Sequence, residues 1–154
     1  AQLKQEYAKL SLTRSYHVTL KFLGEVEDDK ADGIKNCLRK ARFRPFQAKI
    51  GSIGTFPDEN NIRVVWADVI SKGMAELQGE VEDSLKELNF RKDHGFKAHI
   101  TLCRVKSVKD RKGFIDSLKS IKTEEKTIQI NDFRLIKSTL TPEGPAYETI
   151  ETYK

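Results

Sequence analysis

The chain has few of the features that are typical of secreted proteins, of proteins stabilised by bound metal ions, or of membrane proteins. It has only two cysteines, Cys37 and Cys103, and they form no C-x-x-C pair. A distant pair of this kind gives neither a disulfide framework nor a metal site, so a reducing compartment is the simpler interpretation. No apolar run approaches the roughly 20 residues needed to cross a bilayer, and the start lacks the regions of a secretory signal. We therefore expect a soluble, cytoplasmic protein that contacts no membrane.

The sequence also lacks any linker or low-complexity segment. A chain of 154 residues is long enough for one sizeable core and too short to expect two independent domains, so one domain over residues 1–154 is expected. The charge is mildly biased, with 28 Lys and Arg against 23 Asp and Glu and a net charge of +5. This excess favours anionic partners such as phosphate or RNA and does not identify one.

A short repeat stands out against this ordinary background. The tetrapeptide HVTL, which begins at His17, returns as HITL at His99. Both copies lie among β-branched and aliphatic residues that predict strands, and side chains two apart on a strand share a face. His17 is therefore expected to point with Thr19, and His99 with Thr101.

Apolar periodicity predicts the remaining elements. Helices are expected at residues 28–42, 73–89 and 108–121, with the end of another at 1–10. Strands are expected at residues 13–23, 46–56, 62–69, 97–105, 126–140 with an interruption near Asn131, and 147–152.

The two halves of the chain repeat one order of elements: histidine strand, helix, strand, turn, strand. The histidines at 17 and 99 lie 82 positions apart, and the turn prolines at 57 and 142 lie 85 apart. This offset predicts a duplicated unit with a pseudo-twofold axis. Such symmetry would bring the two histidine strands to one cleft from opposite sides.

Two histidines facing one cleft are suited to acid–base chemistry at phosphorus. Imidazole has an unperturbed pKa of about 6.5, so it serves as base or acid near neutral pH. In-line displacement at a phosphodiester places the attacking and leaving oxygens on opposite sides, where one imidazole takes a proton and the other gives one. The two threonine hydroxyls would donate hydrogen bonds to the non-bridging oxygens.

These motifs resemble the two-histidine (2H) phosphoesterases, and most closely the archaeal and bacterial RNA 2′,3′-cyclic phosphodiesterases formerly called 2′-5′ RNA ligases. The resemblance runs from about Tyr16 to the C-terminus and includes HVTLKFLGEV, IRVVWADV, AHITLCRV and KSTLTPEGPAYE. It implies a bilobal, pseudo-twofold α+β fold, with two antiparallel sheets flanking a central basic groove, helices on the outside, and no metal or other cofactor.

The same resemblance implies a reaction and a substrate. A 2′,3′-cyclic phosphate at an RNA end would be opened to a 2′-phosphate. Family members are also associated with joining tRNA halves through a 2′-5′ linkage. A monomer that acts on such RNA ends is therefore expected.

Residue roles follow from the resemblance as well. His17 corresponds to the proton donor to the 3′ leaving oxygen, and His99 to the acceptor from water. Arg104 matches an arginine that the family has after its second motif, and it would hold phosphate oxygens bidentately. Strict alternation puts Arg104 opposite His99, so a bulge or the strand end must turn it inward. Phe22 is expected to stack on a base, although its parity also fits packing in the core.

Some alternatives stay open at this stage. Proteins of this family begin with an apolar strand and a helix before the first motif. In this sequence we expect that strand to be absent and the helix to be shortened. Either the N-terminus has been lost, or the first lobe has an unpaired edge.

The groove could bind nucleotides without turnover, or process 2′-5′ oligonucleotides or other cyclic phosphates. A single His-x-Thr is usually a structural pair, but its duplication favours a catalytic unit. Thr19 and Thr101 are also good strand formers, and the two cysteines are expected to be small buried hydrophobes.

Overall fold

The structure is a computed structural model that describes residue 3, residues 5–123 and residues 126–154. The described elements, in chain order, are β1 (Ala8–Leu12), α1 (Ala31–Leu38), β2 (Phe46–Pro57), β3 (Ile62–Ile70), α2 (Lys72–Ser84), β4 (His99–Val108), α3 (Arg111–Lys119), β5 (Thr127–Ile130), β6 (Phe133–Thr141) and β7 (Gly144–Tyr153). Single 3-10 turns lie at Asp28–Lys30 and Lys86–Leu88.

These elements divide between two compact units. Unit 1 comprises Ala1–Thr19, Ala48–Ser71 and Lys97–Ile128. Unit 2 comprises Leu20–Gln47, Lys72–Phe96 and Gln129–Lys154. Each unit therefore combines three separate stretches of the chain, and both His-x-Thr motifs belong to unit 1.

The sheet of unit 1 has five strands in the order β1-β4-β3-β2-β5. The pairs β1 with β4, β4 with β3, and β3 with β2 are all antiparallel. One face of this sheet packs against α3, because alternate residues of the strands carry apolar side chains toward that helix. The core on this face is formed by Ala8, Leu10, Ile62, Val65, Cys103, Val105, Phe114 and Leu118.

Unit 2 contains the antiparallel hairpin of β6 and β7 together with α1 and α2. The inward stripes of the two helices meet the start of the hairpin, where Phe133 stacks on Tyr153 at a centroid distance of 4.8 Å. The core of this unit is formed by Ile34, Cys37, Leu38, Leu77, Val81, Leu85, Phe133 and Tyr153. Helices combined with antiparallel sheets confirm the α+β class.

Both cysteines are buried free thiols, as predicted. Cys103 is fully buried in the core of unit 1, and this burial raises the pKa of its thiol to about 11. The pKa of the Cys37 thiol is also raised, chiefly by burial and then by its hydrogen bond to Glu87. Both thiols therefore act as small core side chains.

The predicted helix end at residues 1–10 is wrong for the residues that the structure describes. Ala8 to Leu12 form strand β1, and Ala8 and Leu10 alternate inward. Leu3 and Tyr7, whose spacing had indicated a helix, pack against the same core of unit 1. Helical spacing over so few residues could not exclude a strand that pairs with the distant β4. Residues 1, 2 and 4 of the predicted helix lie outside the described residues.

The predicted strand at residues 13–23 is also wrong, because Val18 forms only an isolated bridge. Leu20 and Leu23, which had supported the strand, pack instead against the core of unit 2. The segment therefore leaves the sheet of unit 1 directly after its histidine motif.

Among the described residues, no helix is long and apolar enough to cross a membrane.

Candidate active site

The two His-x-Thr motifs are brought together by one antiparallel bridge between their central residues, Val18 and Ile100. The flanking residues of such a bridge lie opposite one another, so His17 faces Thr101 and Thr19 faces His99. These four side chains alternate with the bridged residues and therefore share one face. Each histidine thus lies across from the threonine of the other motif.

Both imidazoles are held by the same local contact. The Nδ1 of His17 lies 2.9 Å from the carbonyl oxygen of Ser15, and the Nδ1 of His99 lies 2.8 Å from that of Lys97. A carbonyl oxygen only accepts, so each Nδ1–H is the donor. In the neutral ring Nε2 then carries the lone pair, and in the imidazolium it carries the second proton. Each ring therefore has its Nδ1 engaged by a backbone carbonyl oxygen, and Nε2 is its other nitrogen.

The two histidines differ in exposure. The side chain of His17 is exposed, whereas His99 is half-buried at the start of β4. The ring of His99 makes edge-type contacts with Phe56 and Trp66, at centroid distances of 5.1 and 6.0 Å. The more buried histidine thus lies against an aromatic pair.

A bulge in the sheet determines where Arg104 lies. In the pairing of β3 with β4, Trp66 is opposite Thr101 and Val65 is opposite Cys103, so Leu102 is an extra residue. An extra residue reverses the alternation of side chains beyond it. The register therefore puts Arg104, which pairs with Val64, on the face that carries Thr101. The conflict between strict alternation and an inward arginine is resolved by this bulge.

Phe22 does not pack in the core. Its side chain is 82% exposed, and it lies in unit 2, in a segment without helix or strand. The core-packing alternative for this residue is therefore wrong.

Sequence reasoning missed an ion-pair network just beyond the first motif, in unit 2. The Nζ of Lys21 donates to Glu82 at 3.0 Å and to the carbonyl oxygen of Arg91 at 2.8 Å. The same Glu82 oxygen accepts from the side-chain amide of Gln78 at 3.1 Å and the backbone N–H of Asp93 at 3.2 Å. The Lys21 and Glu82 side chains are only 3% and 5% exposed. A lysine within the apolar run HVTLKFLG was the signal for a buried partner.

Trp66 and Phe56 were also missed as neighbours of His99. The sequence predicts both strands that carry them, but periodicity within a strand does not reveal which strand pairs with it. No group of three or more His, Cys, Asp or Glu side chains that could hold a metal ion is present in the described part of the chain.

Comparison with known families identifies the family of the chain. The model of the LigT-like phosphoesterases matches the chain twice, over residues 1–66 and 67–147, with one His-x-Thr motif in each match. The chain belongs to this phosphoesterase family.

Two relatives extend the comparison along almost the whole chain. The RNA 2′,3′-cyclic phosphodiesterase of Methanocaldococcus jannaschii is 35% identical over 153 residues, which is 99% of this chain and 87% of the relative. The protein of the same name from Archaeoglobus fulgidus is 37% identical over 140 residues, covering 90% and 78% of the two chains.

Solved structures show the same fold. The crystal structure of TT0787 of Thermus thermophilus matches with a TM-score of 0.69 and 26% identity, over 94% of this chain and 81% of that one. E. coli LigT in complex with 3′-AMP matches with a TM-score of 0.72 and 19% identity, over 99% and 83%. The fold of the LigT-like enzymes is therefore present throughout this chain.

Proposed function

We propose that this protein hydrolyses RNA ends that carry a 2′,3′-cyclic phosphate to 2′-phosphomonoesters. The observation that carries the proposal is the bridge between the two His-x-Thr motifs, in which both Nδ1 atoms are tied to carbonyl oxygens. With Nδ1 engaged in this way, Nε2 would be the atom of each ring that transfers a proton. Family membership, and relatives that are named RNA 2′,3′-cyclic phosphodiesterase, support this substrate class.

In the proposed reaction the two histidines divide the proton transfers. The neutral His99 takes a proton from water at Nε2 while the water oxygen bonds to phosphorus. The protonated His17 gives its Nε2 proton to the 3′ oxygen while the P–O3′ bond breaks. The products are a 2′-phosphomonoester and a free 3′-hydroxyl. In-line displacement requires the entering and leaving oxygens to lie on opposite sides of phosphorus.

Three further side chains would stabilise the charge on the non-bridging oxygens. The hydroxyls of Thr19 and Thr101 share a face with the histidines and would donate hydrogen bonds to these oxygens. The Arg104 guanidinium would pair with the phosphate bidentately, and the bulge at Leu102 supports this role because it puts Arg104 on the same face.

Phe22 would stack on the terminal base of the RNA. An exposed phenyl ring gains from contact with a base because every base offers an aromatic face. The Phe22 ring is 82% exposed and is therefore accessible to a base.

The enzyme would act as a monomer on RNA ends, and tRNA halves with a cyclic phosphate carry the end group that it would open. If an RNA 5′-hydroxyl replaces water as the nucleophile, the same proton transfers give a 2′-5′ linkage. Joining of RNA halves is therefore a variation of the proposed reaction.

The direct test uses a short RNA that ends in a 2′,3′-cyclic phosphate, incubated with the wild-type protein with and without EDTA. We expect conversion to the 2′-phosphomonoester at the same rate in both conditions, because the two histidines carry out both proton transfers. Nucleotide binding without turnover would contradict the proposal and support a binding module. Turnover of 2′-5′ oligonucleotides in preference to the cyclic phosphate would assign a different substrate.

A further inference from the structure

We propose that Phe56 and Trp66 form an aromatic platform that positions the His99 imidazole for proton transfer. This inference rests on the proposed role of His99 and deepens it. Both aromatic residues are positioning residues, since they act through the histidine.

The platform consists of two stacked rings in contact with a third. Phe56 and Trp66 stack with a centroid distance of 4.9 Å and an interplanar angle of 28°. The His99 ring meets Phe56 at 80° and Trp66 at 62°, the edge-to-face geometry that aromatic quadrupoles favour. Together with the Nδ1 contact to the Lys97 carbonyl, these rings restrict both side-chain torsions of His99.

The Trp66 ring is itself held from several sides. Gly54 pairs with Trp66 across β2 and β3, and a Cβ at Gly54 would overlap the six-membered ring. Just before β4, the Nζ of Lys97 lies 4.5 Å from the ring centroid, a cation–π contact. Gly54 and Lys97 thus fix the ring against which His99 rests.

These contacts hold Trp66 through its ring and not through its N–H group. Trp66 is 8% exposed, and its Nε1 is buried without a hydrogen-bond partner among the described residues. Phenylalanine therefore preserves most of the platform at this position and loses no hydrogen bond.

A base that is held in one orientation meets water at the correct angle without losing rotational freedom in the transition state. Loss of one aromatic contact of ordinary size corresponds to about a tenfold change in rate. We therefore expect Trp66→Leu and Phe56→Leu each to lower kcat about tenfold while KM changes little, because neither ring needs to touch the substrate. Trp66→Phe should recover most of the lost rate.

The matched control is Phe133→Leu, which removes a stacked aromatic ring from the core of unit 2 and not from His99. It should leave kcat per folded molecule unchanged. Phe56 is only half-buried, so Phe56→Leu tests the platform even if Trp66→Leu does not fold. An active wild type whose kcat is unaffected by Phe56→Leu would overturn the inference.

A spectroscopic measurement separates this inference from the proposed function. The chain has three histidines, so the ring protons of His99 can be assigned by NMR with His99→Gln. We expect a ring-current shift of these protons that Phe56→Leu and Trp66→Leu each reduce and Phe133→Leu leaves unchanged. Unchanged His99 resonances in both platform variants would overturn the platform. If the wild-type protein shows these ring-current shifts but hydrolyses no cyclic phosphate, the proposed function is contradicted. The platform would then have no role in catalysis.

Discussion

At the residue scale, the two His-x-Thr tripeptides are related by a local twofold arrangement at the bridge between Val18 and Ile100. Each histidine donates from Nδ1 to the carbonyl oxygen two residues before it, and each faces the threonine of the other motif. A repeated tripeptide paired centre to centre presents two equivalent Nε2 atoms. What distinguishes them is their surroundings, because His17 is exposed and His99 packs on Phe56 and Trp66.

The assignment of acid and base can be tested with a leaving group that needs no proton. With bis(p-nitrophenyl) phosphate the departing p-nitrophenolate is stable as an anion, so a general acid contributes little. We expect His99→Ala to reduce p-nitrophenolate release about 10²–10⁴-fold, whereas His17→Ala reduces it much less. Release is followed by absorbance. The reverse pattern would exchange the two roles.

Phe22 offers a second test at this scale. Removal of a base-stacking ring costs about 1–3 kcal/mol of binding per base, so Phe22→Ala should raise KM for the RNA substrate roughly tenfold or more. The free energy of unfolding should stay within about 0.5 kcal/mol of the wild type, since exposed side chains contribute little to stability. Steady-state kinetics and urea unfolding measure the two quantities. An unchanged KM would exclude Phe22 from substrate binding.

At the scale of the elements, the bulge at Leu102 shows what periodicity can and cannot predict. The sequence indicated strands close to β2, β3 and β4 because their apolar residues alternate. It could not place Arg104, because one inserted residue reverses the alternation and its position depends on the partner strand. The sequence predicted a long strand where Val18 forms only an isolated bridge, for a related reason. The apolar residues Leu20 and Leu23 pack against the core of unit 2 and do not extend a strand of unit 1.

An ion pair between Arg39, the residue that follows α1, and Glu151 of β7 makes the stability of unit 2 depend on pH. Arg39 donates to Glu151 from Nε at 3.2 Å and also from its terminal nitrogen. The Arg39 guanidinium lowers the pKa of the Glu151 carboxyl below its ordinary value, and the contact of Glu151 with Tyr153 is the second cause of this lowering. A lowered folded-state pKa adds stability above the unfolded value, and this stability is lost as pH falls through the lowered one.

Arg39→Met should therefore reduce the free energy of unfolding at pH 7, and the difference from the wild type should shrink at pH 3. Urea unfolding at both values measures it. Lys72→Met removes the same charge from an exposed pair with Glu76 and should change stability little at either pH. An Arg39→Met effect as large at pH 3 as at pH 7 would contradict the electrostatic origin.

The ion pair between Lys21 and Glu82 predicts a larger effect. Because both side chains are buried, removal of one leaves a buried charge that has lost its partner, at a cost of about 3–5 kcal/mol. Lys21→Met is expected near the lower end, since the Glu82 carboxylate keeps its bonds from Gln78 and Asp93. Lys35→Met, whose partner Asp32 is 88% exposed, is the control. Equal unfolding free energies for the two variants would contradict this view of the network.

At the scale of the whole molecule, the sequence predicted the α+β class and the repeated motif, and the family model matches the chain twice. The sequence did not predict which stretches of the chain form each of the two units, because each unit combines stretches that are distant in sequence. Leu10 illustrates the reason: its spacing from Leu3 and Tyr7 indicated a helix, but it lies in a strand because β1 pairs with β4, about a hundred residues further on. Long-range pairing of this kind is invisible to local periodicity.

In the proposed function, His17 and His99 form one acid–base unit that opens a 2′,3′-cyclic phosphate. The most direct measurement is the single-turnover rate on a short RNA with this end, for wild type, His17→Ala and His99→Ala. The control is His94→Ala, which changes the third histidine of the chain, an exposed residue outside both motifs. We predict a loss of about 10²–10⁴-fold in each of the first two variants and wild-type rates in the control. If either His17→Ala or His99→Ala hydrolyses the RNA at the wild-type rate, the two histidines do not act as one acid–base unit.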